Sequence, residues 1–221
     1  MGSSDPSTPI LKLVGSPDHG KSQPCATCGI PTLCKYCFSC ENAMRAAAAF
    51  AGPSKSVMAE MGIPERYYQA EPSAVDDVPD QEGYFLHGPV GSGKTHEAAG
   101  ILRAWSRQNS RRGLFVSLPD LLRRLRDEMH AETRPDYDEL PEERAGLLVL
   151  DDLSTAKMTD WASECLYMLV NIRYNAMRPT IYTSNTPLSA IAATHGDQIA
   201  SRIAGSCRII EMAASDRRLK G

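Results

Sequence analysis

Residues 88–95 read Gly-Pro-Val-Gly-Ser-Gly-Lys-Thr, entered from the apolar run Tyr84-Phe85-Leu86 and left into a helix-forming segment. A glycine-rich turn between strand and helix points successive backbone N–H groups inward at a helix N-terminus, where they bind phosphate oxygens. In such a loop Gly88, Gly91 and Gly93 allow the turns, Lys94 reaches the β- and γ-phosphates, and the Thr95 hydroxyl ligates Mg²⁺. Pro89, Val90, Ser92 and His96 complete the stretch expected to surround the phosphates. A turn that merely starts a helix needs neither the Lys-Thr pair nor the apolar strand. The chain is therefore expected to be an α/β protein with a nucleoside triphosphate site.

The rest of the pattern fits that expectation. Strands are expected at 83–87, 113–118, 145–150, 179–184 and 207–212, and helices at 96–109, 120–132 and 159–176. The run 145–150 is continuously apolar, as a strand buried on both faces of a parallel sheet must be. Alternating strands and helices predict a doubly wound, five-stranded parallel sheet. In the helix from Asp120, Leu121, Leu122 and Leu125 recur at helical spacing with Arg123, Arg124 and Arg126 between them. Those arginines read as a solvated face, with DNA contact as the alternative. A chain of 221 residues has room for one such core and one small appendage.

Four segments are expected: a flexible stretch over 1–24, a Cys-rich module over 25–51, a linker and pre-core segment over 52–82, and the core over 83–221. The formal net charge of −3 gives no bulk basic field, so any contact with nucleic acid must be local. No apolar run reaches membrane-spanning length and the start lacks a signal peptide's pattern, which predicts a cytoplasmic protein with no membrane partner.

Leu147-Leu148-Val149-Leu150-Asp151-Asp152 puts two carboxylates at the carboxyl end of a buried strand, where ligands of open α/β sheets sit. Asp151 is expected to hold Mg²⁺ and Asp152 to orient the water that attacks the γ-phosphate. Asp-Leu-Ser after a strand also suits a helix start, with Asp152 as its cap. Asn185, at the tip of the 179–184 strand, is placed to hydrogen-bond the γ-phosphate or that water, or else to form an Asn-Thr-Pro turn.

These motifs, with Asn171-Ile172-Arg173-Tyr174, Pro179 to Asn185, Ser201-Arg202-Ile203 and Asp216-Arg217-Arg218, resemble the bacterial and phage replicative helicase loaders. That branch of the AAA+ ATPases is related to the transposition helper ATPases of insertion sequences. The segment Ile63-Pro64-Glu65-Arg66-Tyr67 resembles the one that precedes the core in these proteins. The resemblance covers about residues 63–221 and implies ATP hydrolysis, a short or absent helical lid, and ATP-dependent homo-oligomers. It implies loading of a replicative hexameric helicase onto single-stranded DNA, or alternatively help to a transposase, or regulation with little turnover. It makes Arg202 an arginine finger that serves a neighbouring subunit's site, and Arg218 or the adjacent Arg217 a sensor. Asp152 stands where most AAA+ proteins have Glu, although this branch commonly has Asp there, which implies that hydrolysis is retained but slow.

Five of the seven cysteines lie between 25 and 40. Cys25, Cys28, Cys34 and Cys37 form two Cys-x2-Cys pairs that can close a tetrahedron around Zn²⁺. Cys40 can replace Cys37, and His19 is a further candidate. Cys34, Cys37 and Cys40 with an earlier Cys also suit an iron–sulfur cluster. Some helicase loaders carry a small zinc module in this place, which implies docking on the helicase. Cys165 and Cys207 lie in apolar contexts and are expected in the core.

Overall fold

The structure, a computed structural model, describes residues 23–28, 31, 32, 39, 53–75, 77, 79–109, 112–130, 140–154 and 159–213. The chain divides into two compact units between Ala48 and Ala49. In the first, β1 (Gln23–Pro24) pairs antiparallel with β2 (Pro31–Thr32). Cys25, just after β1, is buried and Cys28 is exposed. His19, Cys34, Cys37, Cys40 and the Ala-rich stretch 41–51, expected to be the helix that ends the Cys-rich module, lie outside the described residues.

The second unit begins with the short helix α1 (Lys55–Glu60) and a 3-10 turn at Glu65–Tyr67. Five strands follow: β3 (Gly83–His87), β4 (Gly113–Ser117), β5 (Leu147–Asp151), β6 (Thr180–Ser184) and β7 (Cys207–Glu211). All their pairings are parallel, in the order β4-β5-β6-β3-β7. The predicted five-stranded parallel sheet is present, as in a P-loop AAA+ core. Between the strands run α2 (Lys94–Gln108), α3 (Leu118–His130), α4 (Pro141–Arg144), α5 (Asp160–Asn175), α6 (Leu188–His195) and α7 (Asp197–Ser206).

Every residue of β5 and β6 is buried, because both faces of the sheet are covered. Leu147 and Val149 pack with Ala98, Ile101, Leu102 and Trp105 of α2. Leu148 and Leu150 pack on the other face with Leu121, Leu125, Leu166 and Leu169 of α3 and α5. Cys165 and Cys207 are buried in that second cluster, as expected. Among the described residues no helix is long and apolar enough to cross a membrane.

Three local readings change. Helix α3 starts at Leu118 rather than Asp120, because proline has no N–H to lose in a first turn and the Ser117 hydroxyl accepts from Asp120 N–H at 3.2 Å. Between the helix expected at 120–132 and the strand expected at 145–150, where no element was expected, Pro141 opens the single turn of α4. The helix after Asp152 is capped by Thr159, whose hydroxyl accepts from Ala162 N–H, so Asp152 is not its cap. The described residues end at Ala213, which leaves the predicted short or absent lid outside them.

Residues 53–74 are built onto α2. Met58, Met61, Ile63 and Ala70 share the cluster of Leu102 and Trp105. Phe115 N–H donates to the Met61 carbonyl at 2.7 Å, and Arg103 donates to the Ala70 carbonyl at 3.0 Å. At Gly100 a Cβ would stand 2.7 Å from the Glu71 carbonyl carbon, so only glycine lets the chain cross the helix there.

Arg173, named above for its motif, is 1 % exposed. Its Nε donates to Thr180 Oγ1 at 2.7 Å, its Nη1 to the Ala145 carbonyl at 3.0 Å and its Nη2 to the Pro179 carbonyl at 2.6 Å. Nη1 also reaches the Glu142 and Glu143 carbonyls. It joins α5 to the turns that precede β5 and β6.

Candidate functional site

The loop at 88–95 leaves β3 and enters α2. Gly93, the N-cap of α2, has φ of 92° and is left-handed, a conformation in which a Cβ would strain the turn. Lys94 opens the helix, is buried, and folds back over the loop. Its Nζ donates to the Gly88 and Pro89 carbonyls at 2.8 Å each and lies 3.4 Å from Ser92 Oγ. The loop therefore holds its lysine in place with its own oxygens.

Because β3 pairs with β6 and β6 with β5, the carboxyl ends of these three strands are adjacent. Asp151 ends β5 and is 9 % exposed. Thr183 Oγ1 donates to its Oδ1 at 2.6 Å, and Thr95 Oγ1 donates to its Oδ2 at 3.3 Å. Asp152 N–H donates in turn to Thr183 Oγ1 at 2.8 Å. Asp152 has φ of 66°, a left-handed conformation that aspartate tolerates better than most side chains. Asn185 is held by its N–H, which donates to Ser154 Oγ at 2.9 Å.

A cleft of about 380 Å³ gathers these groups: Val90, Gly91, Gly93, Lys94, Thr95, His96, Asp151, Asp152 and Asn185 line it. Arg66, Tyr67 and Thr183 line it as well, and none of the three was singled out as a site residue. Thr183 carried a signal, since a hydroxyl inside a buried strand needs a partner. Arg66 and Tyr67 carried none beyond their place in a segment of familiar pattern. The Tyr67 and His96 rings meet edge to face, with centroids 6.3 Å apart.

The donor set suits a hydrated Mg²⁺: a buried carboxylate beside a hydroxyl at a helix start, next to backbone turned for phosphate. Burial raises the Asp151 carboxyl above its ordinary range, against the hydrogen bonds from Thr183 and Thr95 that favour the ionised form. A raised carboxyl in the folded state makes ionisation at neutral pH a cost to folding. That cost is relieved as pH falls through the raised value and is gone below the ordinary one. Asp151→Asn is therefore expected to raise the metal-free melting temperature at pH 7, with the gain shrinking toward pH 4. Thermal unfolding of both chains across pH, without Mg²⁺ or nucleotide, checks this; a lower melting temperature for the variant at pH 7 would contradict it.

Arg202 does not line its own chain's cleft. It lies on α7, where its Nε donates to Asn171 Oδ1 at 2.9 Å and its guanidinium stands 4.9 Å from the centre of the Tyr167 ring. Arg217 and Arg218 lie outside the described residues. On α3, Arg123 pairs with Asp120 at 3.1 Å, Arg124 pairs with Glu142, and Arg126 stands over the Trp161 ring.

The model of a family described as IstB-like ATP binding protein matches residues 60–221. The chain belongs to this family. Over 106 residues this IstB-like protein is 33% identical to an ATP-binding protein in an insertion sequence of Mycobacterium tuberculosis. That match covers 47% of this chain and 41% of the curated relative, less than half of its length. Among solved structures it is similar to the DnaC helicase loader, at 25% identity and a TM-score of 0.60, over 68% of this chain and 100% of that one. It is also similar in fold to DnaI, at 23% identity and a TM-score of 0.58, over 69% and 96% of the two chains. DnaA from Aquifex aeolicus, bound to AMPPCP, shares the fold at 20% identity and a TM-score of 0.53, over 60% of this chain and 40% of that one.

Proposed function

We propose that this IstB-like protein is an ATPase that uses Mg²⁺ and ATP to act on DNA together with neighbouring copies of itself. The observation that carries the reading is the convergence of Lys94, Thr95, Asp151, Asp152 and Asn185 on one cleft. In it, Lys94 turns from its loop carbonyls toward the β- and γ-phosphates, and the backbone N–H groups after Gly91 bind their oxygens. Thr95 and Asp151 hold Mg²⁺, which when bound neutralises charge on the phosphates. Asp152 and Asn185 orient the attacking water, with Asp152 as the group that accepts its proton. Arg66 and Tyr67 make the wall of the cleft that receives the base. Arg202 reaches the γ-phosphate of a neighbouring copy and stabilises charge in the transition state.

For the client, one reading is loading of a replicative hexameric helicase onto single-stranded DNA. Its support is the similarity to the DnaC helicase loader along that protein's whole solved chain. DNA would be gripped by phosphate contacts with little dependence on sequence. The cysteine pairs are, by their spacing, the proposed zinc module, and docking on the helicase is what the resemblance to helicase loaders implies for it. A second reading, an ATPase helper for a transposase, is supported by the family and by the insertion-sequence relative. Pull-down of the full chain with a hexameric helicase and with a transposase separates the two.

Arg202→Ala tests the shared site. It is expected to lower ATP turnover on single-stranded DNA by about 10³-fold or more, as loss of an arginine finger does, and to leave ATP binding by the isolated chain nearly intact. Steady-state hydrolysis and nucleotide titration measure the two. Full turnover with normal assembly would remove Arg202 from the site.

A further inference from the structure

We propose that Glu97 is a positioning residue that sets the base side of the nucleotide cleft by clasping the chain segment that carries Arg66 and Tyr67. The inference rests on the ATP reading above. Glu97 stands in the first turn of α2, two residues after Thr95, and is 0 % exposed. A carboxylate with no access to water is retained only where its oxygens are satisfied. Here Oε1 accepts from Ser73 N–H at 2.7 Å and from Ala74 N–H at 2.6 Å, while Oε2 accepts from the Ser73 hydroxyl at 3.0 Å. Three donors from one turn of chain converge on a single side chain of the phosphate-binding helix.

The clasp has a defined effect on the site. Residues 65–74 run from the Arg66–Tyr67 wall to the clasped turn, crossing α2 at Gly100, where no side chain fits. His96, the neighbour of Glu97, meets Tyr67 edge to face. One helical turn thus presents the phosphate ligands Lys94 and Thr95, the ring that Tyr67 packs on, and the anchor of the segment bearing Tyr67. Charge-assisted bonds to backbone N–H groups are short and strong, so this anchor resists displacement of the wall when a base presses on it.

Mg·ATP and Mg·tripolyphosphate separate the two halves of the cleft, because the second carries phosphates and no base. Titration calorimetry of the full chain is expected to show ATP affinity about tenfold weaker in Glu97→Ala and tripolyphosphate affinity changed less than about twofold. Glu97→Gln keeps an oxygen that accepts from both N–H groups and is expected to retain most of the ATP affinity. In hydrolysis, the loss in Glu97→Ala falls on KM more than on kcat. Tyr67→Ala is expected to reproduce the selective loss without touching the clasp, and Ser73→Ala, which removes the hydroxyl donor to Glu97, to show a smaller selective loss, so the positioning role is read even if Glu97→Ala does not fold. Equal losses for both ligands, or unchanged ATP affinity in the alanine variants, would overturn the positioning role. An unaltered chain that binds neither ligand would overturn the nucleotide reading beneath it.

Discussion

Lys94→Ala is expected to lower ATP turnover by about 10²–10³-fold, the cost of deleting one preorganised charge donor from a water-poor site. Two properties of the lysine produce an effect of this size. It is 7 % exposed, so its ammonium acts where charge is weakly screened. It is also the tie between the Gly88 and Pro89 carbonyls, so alanine removes both a charge and a brace of the loop. Nucleotide titration is expected to show ATP affinity falling with turnover, since the same ammonium meets substrate and transition state. Lys94→Arg is not a conservative alternative, because a planar fork does not fit a pocket shaped around a point charge. Undiminished turnover in Lys94→Ala would rule out the loop as the catalytic cradle.

The second large effect falls on stability. Arg173→Leu is expected to cost about 3–5 kcal/mol, the range for breaking a buried charged network by removing one partner. Leucine replaces only the aliphatic part of the side chain, so the carbonyls of Glu142 and Ala145 lose their Arg173 donor inside the protein, while those of Glu143 and Pro179 keep Arg178 and the Leu148 N–H. Burial lowers the Arg173 guanidinium to about 10, still high enough to stay charged at neutral pH. Each kcal/mol lowers the melting temperature of a chain this size by about 2–4 °C, so a fall of roughly 10 °C is expected by calorimetry. Arg173→Lys should recover only part of it, because an ammonium has three donors and no fork. A loss below about 1 kcal/mol would mean that the carbonyls find other partners.

Arg173 also shows where reading the chain stops short. It was visible as part of a motif beside Asn171, yet three of its five acceptors come from a turn 28 to 31 residues earlier, and nothing in local spacing announces them. By contrast, the Gly-rich loop and the apolar run of β5 were legible because each is a local rule: a backbone turned for phosphate, and a strand covered on both faces. The Asp151-Asp152 pair was legible as a site, but the separate behaviour of its members was not. One is a buried carboxyl held by two threonines, the other a left-handed residue held by its N–H, and strand pairing decides both. Tyr67 and Glu97 were silent for the same reason. Their meaning lies in a segment that crosses a helix far along the chain, and only the fold brings the two together.

The crossing at Gly100 has a mechanical consequence. With no side chain between them, the strap at Glu71 and Pro72 and the helix beneath it have no slack, and Glu97 pins the strap just beyond. A displacement of the strap itself would thus be passed, with little lost in stretching, to the first turn of the helix that carries Lys94 and Thr95. A shift at the crossing becomes a strain on the cradle.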